Sequence, residues 1–268
     1  MGNKFSLIDK FRRFYDRLIY RFVKFLRKHC NLFGLVTATF LTEPLSALRS
    51  GIMLPYGWKR HFNYYGLNPK SLTKEQLAQD PVLLIHGNFD NQRAWLRLAQ
   101  KLQDEGIPAF TVNLPSGKIT RRDKDLLEKK WAEIRNLYRD RDDLLINVVG
   151  HSRGACLAVM MGVNIAGWSI GRKGRMSTDL STLRKRRDIG KIIQIAQHFV
   201  LNDFQNSLAD SVKIDDRIYT IRGSRDVLAP LDDNFSESSR KFVYEFGHLG
   251  LLFSDEVDQK IIEILKNR

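Results

Sequence analysis

Two cysteines in 268 residues, Cys30 and Cys156, are too few for a disulfide framework, and neither stands in metal-ligand spacing. No apolar run approaches the ~20 residues a membrane-spanning helix needs. The nearest, NLFGLVTATFLTEP, is cut short by Glu43 and Pro44. It also makes a poor secretory signal, because a thirty-residue amphipathic stretch precedes it instead of a short charged region. Internal repeats and low-complexity tracts are missing, which excludes solenoids and fibrous folds. There is no glycine-rich phosphate loop and no cluster of metal-ligating side chains, so no cofactor is expected. A nucleic-acid module is likewise missing, and nucleic acid is not an expected partner.

Acidic residues are the remaining shortage. Thirty Asp and Glu face 44 Lys and Arg, giving a formal charge of +14 and a pI near 9.8. The excess is local. Residues 1–30 hold nine basic and two acidic residues, and residues 172–191 hold eight and two. Such concentration points to an anionic partner at two places rather than to a uniformly basic surface.

The first segment has a helical period. Leu7, Ile8, Phe11, Phe14, Tyr15, Leu18, Ile19, Phe22, Phe25 and Leu26 recur at three- and four-residue steps, with Lys10, Arg13, Arg17, Arg21, Lys24 and Lys28 opposite. A Phe- and Leu-rich face backed by a basic one suits an anionic membrane interface; packing on the domain is the plainer alternative. MGNKFS also fits the N-myristoylation pattern, with Gly2 as acceptor, and a single acyl chain anchors firmly only beside a polybasic patch. Cys30 closes the segment as a site for palmitoylation or as a plain buried thiol. A cytoplasmic, peripherally membrane-associated protein is expected.

From Pro81 the chain alternates. PVLLIHG, PAFTVNLPSG, LLINVVG, KIIQIAQHFV, RIYTIRG and KFVYEFG read as strands. NQRAWLRLAQKLQDEG, RRDKDLLEKKWAEIRNLYRD, RGACLAVMMGVN and DEVDQKIIEILKNR read as helices, the first closed by Gly106. This order predicts an α/β fold, a mostly parallel central sheet with helices on both faces, spanning residues 51–268 after a basic N-terminal extension over 1–50. Active sites of such sheets gather beyond the carboxyl ends of the strands.

Gly150-His151-Ser152-Arg153-Gly154 stands at one of those ends, between a predicted strand and a predicted helix. G-x-S-x-G in this setting is a nucleophile turn: the glycines permit a sharp reversal and the serine hydroxyl projects from the sheet. A serine needs a base and the base an orienting acid. His248 lies beyond the last strand and Asp226 beyond the strand before it, in the order Ser…Asp…His; Asp203 is the second choice of acid, and His198 lies within a strand-like run. The N–H groups of Asn88 and Arg153 are the expected oxyanion donors, with Phe89 as the alternative donor and a substrate-binding residue. His86 is expected to shape its loop without moving protons.

LLIHGNFDN, VVGHSRGA, IRGSRDVLAP and EFGHLGLL together resemble the α/β-hydrolase fold family, most of all its lipase, esterase and polyester-synthase-like branches, over roughly residues 80–268. Arg153 and Asn113 depart from the residues usual there. The resemblance implies a lid-like insertion at about 164–191, whose Arg184–Arg187 run would face anionic headgroups or simply solvent. It implies a serine hydrolase cleaving carboxylic esters of lipid or acylated substrates at a membrane surface through an acyl-enzyme. Thioester cleavage or acyl transfer by the same triad, or an inactive membrane-docked scaffold, are the alternatives.

Overall fold

The computed structural model describes residues 72–162, 169–170, 176–177, 188–197, 217–226, 228–229 and 240–267. The N-terminal segment with Gly2 and Cys30, residues His198 and Asp203, and most of the basic insertion lie outside these residues. Of that insertion, two short strands are described, β4 (Ser169–Ile170) and β5 (Met176–Ser177), paired antiparallel.

The predicted alternation is present. After α1 (Lys74–Leu77) come β1 (Val82–Ile85), a 3₁₀ turn (Gln92–Trp95), α2 (Leu96–Asp104), β2 (Ala109–Val112), α3 (Arg121–Leu137), β3 (Ile146–His151) and α4 (Arg153–Gly162). Strands β6 (Ile189–Ile195), β7 (Ile218–Gly223) and β8 (Arg240–Tyr244), a 3₁₀ turn (Gly250–Phe253) and α5 (Asp255–Lys266) complete it. Two bounds differ from expectation. The segment from Asn91 to Gly106 opens as a 3₁₀ turn because the Asn91 side chain accepts from the Arg93 N–H at 2.9 Å. Strand β6 starts at Ile189, inside the expected insertion, and stops at Ile195 because Ala196 takes φ 47°, which no strand continues through.

Six strands form one sheet in the order β2-β1-β3-β6-β7-β8, every neighbouring pair parallel. Strands buried on both faces read as continuous apolar runs, as β1 and β3 do. Successive side chains therefore feed two cores. Leu83, Ile85, Phe110 and Val148 meet Leu127, Trp131 and Ile134 of α3 and Leu157–Met161 of α4. Val82, Leu84, Val149 and Ile193 meet Leu98 and Leu102 of α2 and Val257 and Ile261 of α5 on the other face. Helix α4 is buried throughout, which explains its lack of a polar face. Across the second core, Arg97 and Lys101 of α2 both bridge to Asp255 and Asp258 of α5.

The strand order places the site. From β1 the chain runs outward to β2, then crosses back so that β3 lies on the other side of β1. At such a switch point the loops leaving the two strands diverge and open a crevice at their carboxyl ends. Those loops begin at His86 and Ser152.

Among the described residues no helix is long and apolar enough to cross a membrane. Trp131 anchors the α3 side of the core, nearly fully buried, and its Nε1–H donates to Asp188 Oδ2 at 2.8 Å. Trp131→Ala should cost about 3–5 kcal/mol and Trp131→Phe less than half of that, read from urea unfolding midpoints at constant slope.

Candidate active site

The turn after β3 is built from main chain. Ser152 has φ 54°, a left-handed conformation that costs a non-glycine residue roughly 1–2 kcal/mol. Its N–H is held by the Ile195 carbonyl at 2.8 Å, and its own carbonyl accepts from Ala155 N at 3.0 Å as α4 begins. A Cβ on Gly150 would lie 2.2 Å from the Gly154 oxygen, and one on Gly154 would lie 2.2 Å from the Ile85 oxygen. Real Cβ atoms do not approach backbone so closely. Both glycines of the motif are therefore needed for the turn to close.

Two further loops, leaving β7 and β8, are tied together at the same sheet end. The Ser224 N–H donates to Tyr244 O at 2.8 Å and the Arg225 N–H to Phe246 O at 3.2 Å. This brings Asp226 beside His248, whose Nδ1 lies 2.8 Å from Asp226 Oδ2. The other carboxylate oxygen, Oδ1, accepts from the N–H groups of Leu228 at 3.0 Å and Ala229 at 2.8 Å. Asp226 is thus fixed at both oxygens and buried. Because a carboxylate only accepts, the His248 proton sits on Nδ1, and Nε2 is left with its lone pair.

The loop after β1 is clamped to the loop after β2. His86 Nδ1–H donates to Gly87 O at 2.8 Å, and His86 Nε2 accepts from Leu114 N–H at 2.9 Å. Both ring nitrogens are used and burial pushes the imidazole down to about 4, so His86 is a neutral spacer, in keeping with a loop-shaping role. Asn88 Oδ1 accepts from Gly117 N–H at 2.6 Å, and Asn113 Oδ1 from Gln92 N–H at 2.9 Å. Phe89 has φ 56° and is 75% exposed, an apolar ring standing out at the crevice. Gly87 faces the turn: a Cβ there would come 3.2 Å from Ser152 Cβ.

Arg153 is buried despite its charge. Its guanidinium pairs with Asp123 of α3, itself fully buried, and donates to Pro115 O at 2.8 Å. Asp123 Oδ2 in turn accepts from the Thr120 N–H at 2.7 Å and caps α3. The positive charge after the serine is therefore neutralised where it stands, although Arg153 Nε is buried without a partner among the described residues.

The structure brings Ser152, Asp226, His248, Asn88, Phe89 and Arg153 to one end of the sheet. Sequence reasoning missed three residues there. Asp123 was signalled by an arginine opening an otherwise apolar helix, since a buried charge demands a counter-charge. Asp90 carries no such signal; its Oδ1 accepts from Asn91 N–H at 2.8 Å, its Oδ2 is buried without a partner, and burial pushes the carboxyl up to about 6. The third is His151, whose Nε2 lies 3.0 Å from the carbonyl oxygen of His248.

Neither a protein-family model nor a curated protein matches the sequence. The fold is similar to that of the lipase BlEst2 of Bacillus licheniformis in its propeptide form, at TM-score 0.50 and 10% identity, covering 71% of this chain and 51% of that one. The chain thus spans about half the length of that lipase. An esterase of Pyrococcus furiosus aligns at TM-score 0.49 and 16% identity, over 71% of this chain and 84% of that one. A candidate α/β hydrolase of Agrobacterium tumefaciens aligns at 0.45 and 14%, over 69% and 84%. At such identities the likeness is one of fold.

The buried titratable groups set the acid stability. Burial lowers His86 to about 4 and His151 to about 3, so what they contribute is present above pH 6.5 and lost as pH falls through those values. Asp90, raised to about 6, acts oppositely, favouring the folded state below the usual carboxylate range and losing that contribution as pH rises through 6. Near pH 5 Asp90 holds about one proton in the folded state that it lacks in the unfolded one, which opposes the two histidines by about 1.4 kcal/mol per pH unit. Asp90→Asn should therefore steepen the rise of stability with pH by about that amount, measured by urea unfolding between pH 4.5 and 5.5.

Proposed function

The chain has the α/β-hydrolase fold, and on that premise we propose that it is a serine hydrolase of carboxylic esters. The observation that carries the reading is the Asp226–His248 pair, 2.8 Å apart at the sheet end where Ser152 is held at φ 54°. Ser152 Oγ attacks the ester carbonyl while His248 Nε2 takes its proton and then passes it to the leaving alcohol. Asp226 holds the imidazole in the required tautomer and stabilises the imidazolium as it forms. The Asn88 and Arg153 N–H groups receive the charge on the tetrahedral oxygen, the latter helped by the positive end of α4. A water then repeats the sequence on the acyl-enzyme.

The substrate we assign is lipid or lipid-like. Phe89 on the loop after β1 and Leu228 beside Asp226, 75% and 54% exposed, offer apolar surface to an acyl chain. The basic, Phe-rich segment 1–30 supplies a means of reaching an anionic cytoplasmic membrane face, with Gly2 as the lipidation site and the basic insertion as a second headgroup contact.

Wild type should react with a fluorophosphonate probe and hydrolyse p-nitrophenyl esters. Ser152→Ala should abolish labelling and lower ester turnover by at least ~10³-fold. Asp226→Asn should cost far more than Asp203→Asn. Equal labelling of wild type and Ser152→Ala would refute the nucleophile; the reverse order of the two acids would move the acid to Asp203.

Docking is read separately. The full chain should co-sediment with phosphatidylserine vesicles and come off as salt rises, since each Lys or Arg near such a surface contributes about 1 kcal/mol over a Debye length of ~8 Å. Removing residues 1–30 should abolish sedimentation and spare cleavage of a short soluble ester. Loss of that cleavage as well would show the segment to be part of the folded core.

A further inference from the structure

The residue before the serine adjoins three parts of the site. His151 ends β3, so its backbone sets the turn that carries Ser152. Its ring lies 4.8 Å from the His248 ring, centroid to centroid, and its Nε2 is 3.0 Å from the His248 carbonyl oxygen. On its other side the ring meets the loop after β1: a Cβ on Gly87 would fall 2.9 Å from His151 Nδ1. We propose that His151 is the positioning residue for His248, a neutral hydrogen-bond donor that holds the base loop against the serine turn and the loop after β1.

The chemistry of the contact fixes its sense. A carbonyl oxygen only accepts, so the His151 proton is on Nε2. Nδ1 then carries a lone pair, is buried and has no partner among the described residues. A second proton there would have no acceptor and would sit in the space closed by Gly87. The ring therefore stays neutral, and burial drives its basicity the same way. Neutrality has a use. When His248 carries the transferred proton, a second cation beside it would oppose that step, whereas a neutral ring does not.

The segment that bears His248 also has need of such a tether. The residues on either side of it make no strand, and among the described residues Asp226 is the hydrogen-bond partner of its side chain. Asp226 fixes the ring at Nδ1 but leaves the main chain of the loop to other contacts. The bond from His151 reaches that main chain at the base residue itself. The last position of β3 lies at the sheet centre, and from there its side chain reaches the loop after β8.

This rests on reading His248 as the base, so the test includes readouts that do not need turnover. Wild type, His151→Phe and His151→Gln are compared, glutamine being able to present an N–H where Nε2 stands. In His151→Phe, ester kcat should fall about 10–100-fold with KM within about twofold, as expected when a catalytic group loses its alignment. Deuterium exchange at the amides of residues 246–252 should rise at least about tenfold in the same variant. His151→Gln should restore most of both. In wild type, ¹⁵N NMR should place the His151 proton on Nε2. A proton on Nδ1, or unchanged exchange in a folded His151→Phe, overturns the proposal, as does equal loss in the two variants. If the wild type neither labels with fluorophosphonate nor cleaves esters, the hydrolase reading falls, while the exchange and the tautomer still decide whether His151 holds His248.

Discussion

A Cβ on Gly154 would lie 2.2 Å from the Ile85 oxygen, and one on Gly150 as close to the Gly154 oxygen, so β1, β3 and α4 meet through bare main chain. Everything at the sheet end is placed relative to this contact. It lets Ser152 stand at a turn that the sheet alone would not tolerate, and it lets the loop after β1 close to within reach of the serine. A larger residue at either position would push α4 outward and take Arg153 away from Asp123. The strain at Ser152 is held by a frame that cannot relax without breaking sheet hydrogen bonds on both sides.

Around that contact the charges of the serine turn and of the loop after β7 are matched. Arg153 is matched by Asp123, and Asp226 accepts two main-chain N–H groups in addition to His248. The histidines divide the work by their hydrogen bonds. His86, with both nitrogens engaged, is locked between two loops. His248 has one nitrogen engaged by a carboxylate and the other left open. What the second nitrogen meets decides whether the side chain is a spacer or is available as a base.

The strands, the helices and the G-x-S-x-G turn were legible because their signals are local. Unbroken apolar runs announce strands buried on both faces, and a serine between two glycines at a strand end announces a sharp turn. Chain order and position after strands point to Asp226 and His248 at one sheet end, and the structure pairs their side chains there. What lay beyond reading was contact between residues far apart in sequence. Nothing near His151 says that its ring will find the His248 carbonyl, and nothing near Asp90 says that its carboxyl will be buried. The bounds of β6 were missed for a backbone reason, the φ of 47° at Ala196, which composition does not announce. The readings over residues 1–50, at Asp203 and across most of the basic insertion fall where the structure describes nothing.

The sheet order also governs when the site can come into being. Val82 of β1 pairs with Asn147 of β3, while Asp226 and His248 follow β7 and β8, late in the chain. Such pairings between distant residues close large loops before they yield contacts, which makes folding slow. During synthesis the serine turn can form long before His248 exists. Until the last strand docks, the chain holds a strained serine without the Asp226–His248 pair. Under the proposed function, the appearance of activity would mark the final docking step of folding, and the exposed parallel edge of β7 is the surface that must be guarded until then.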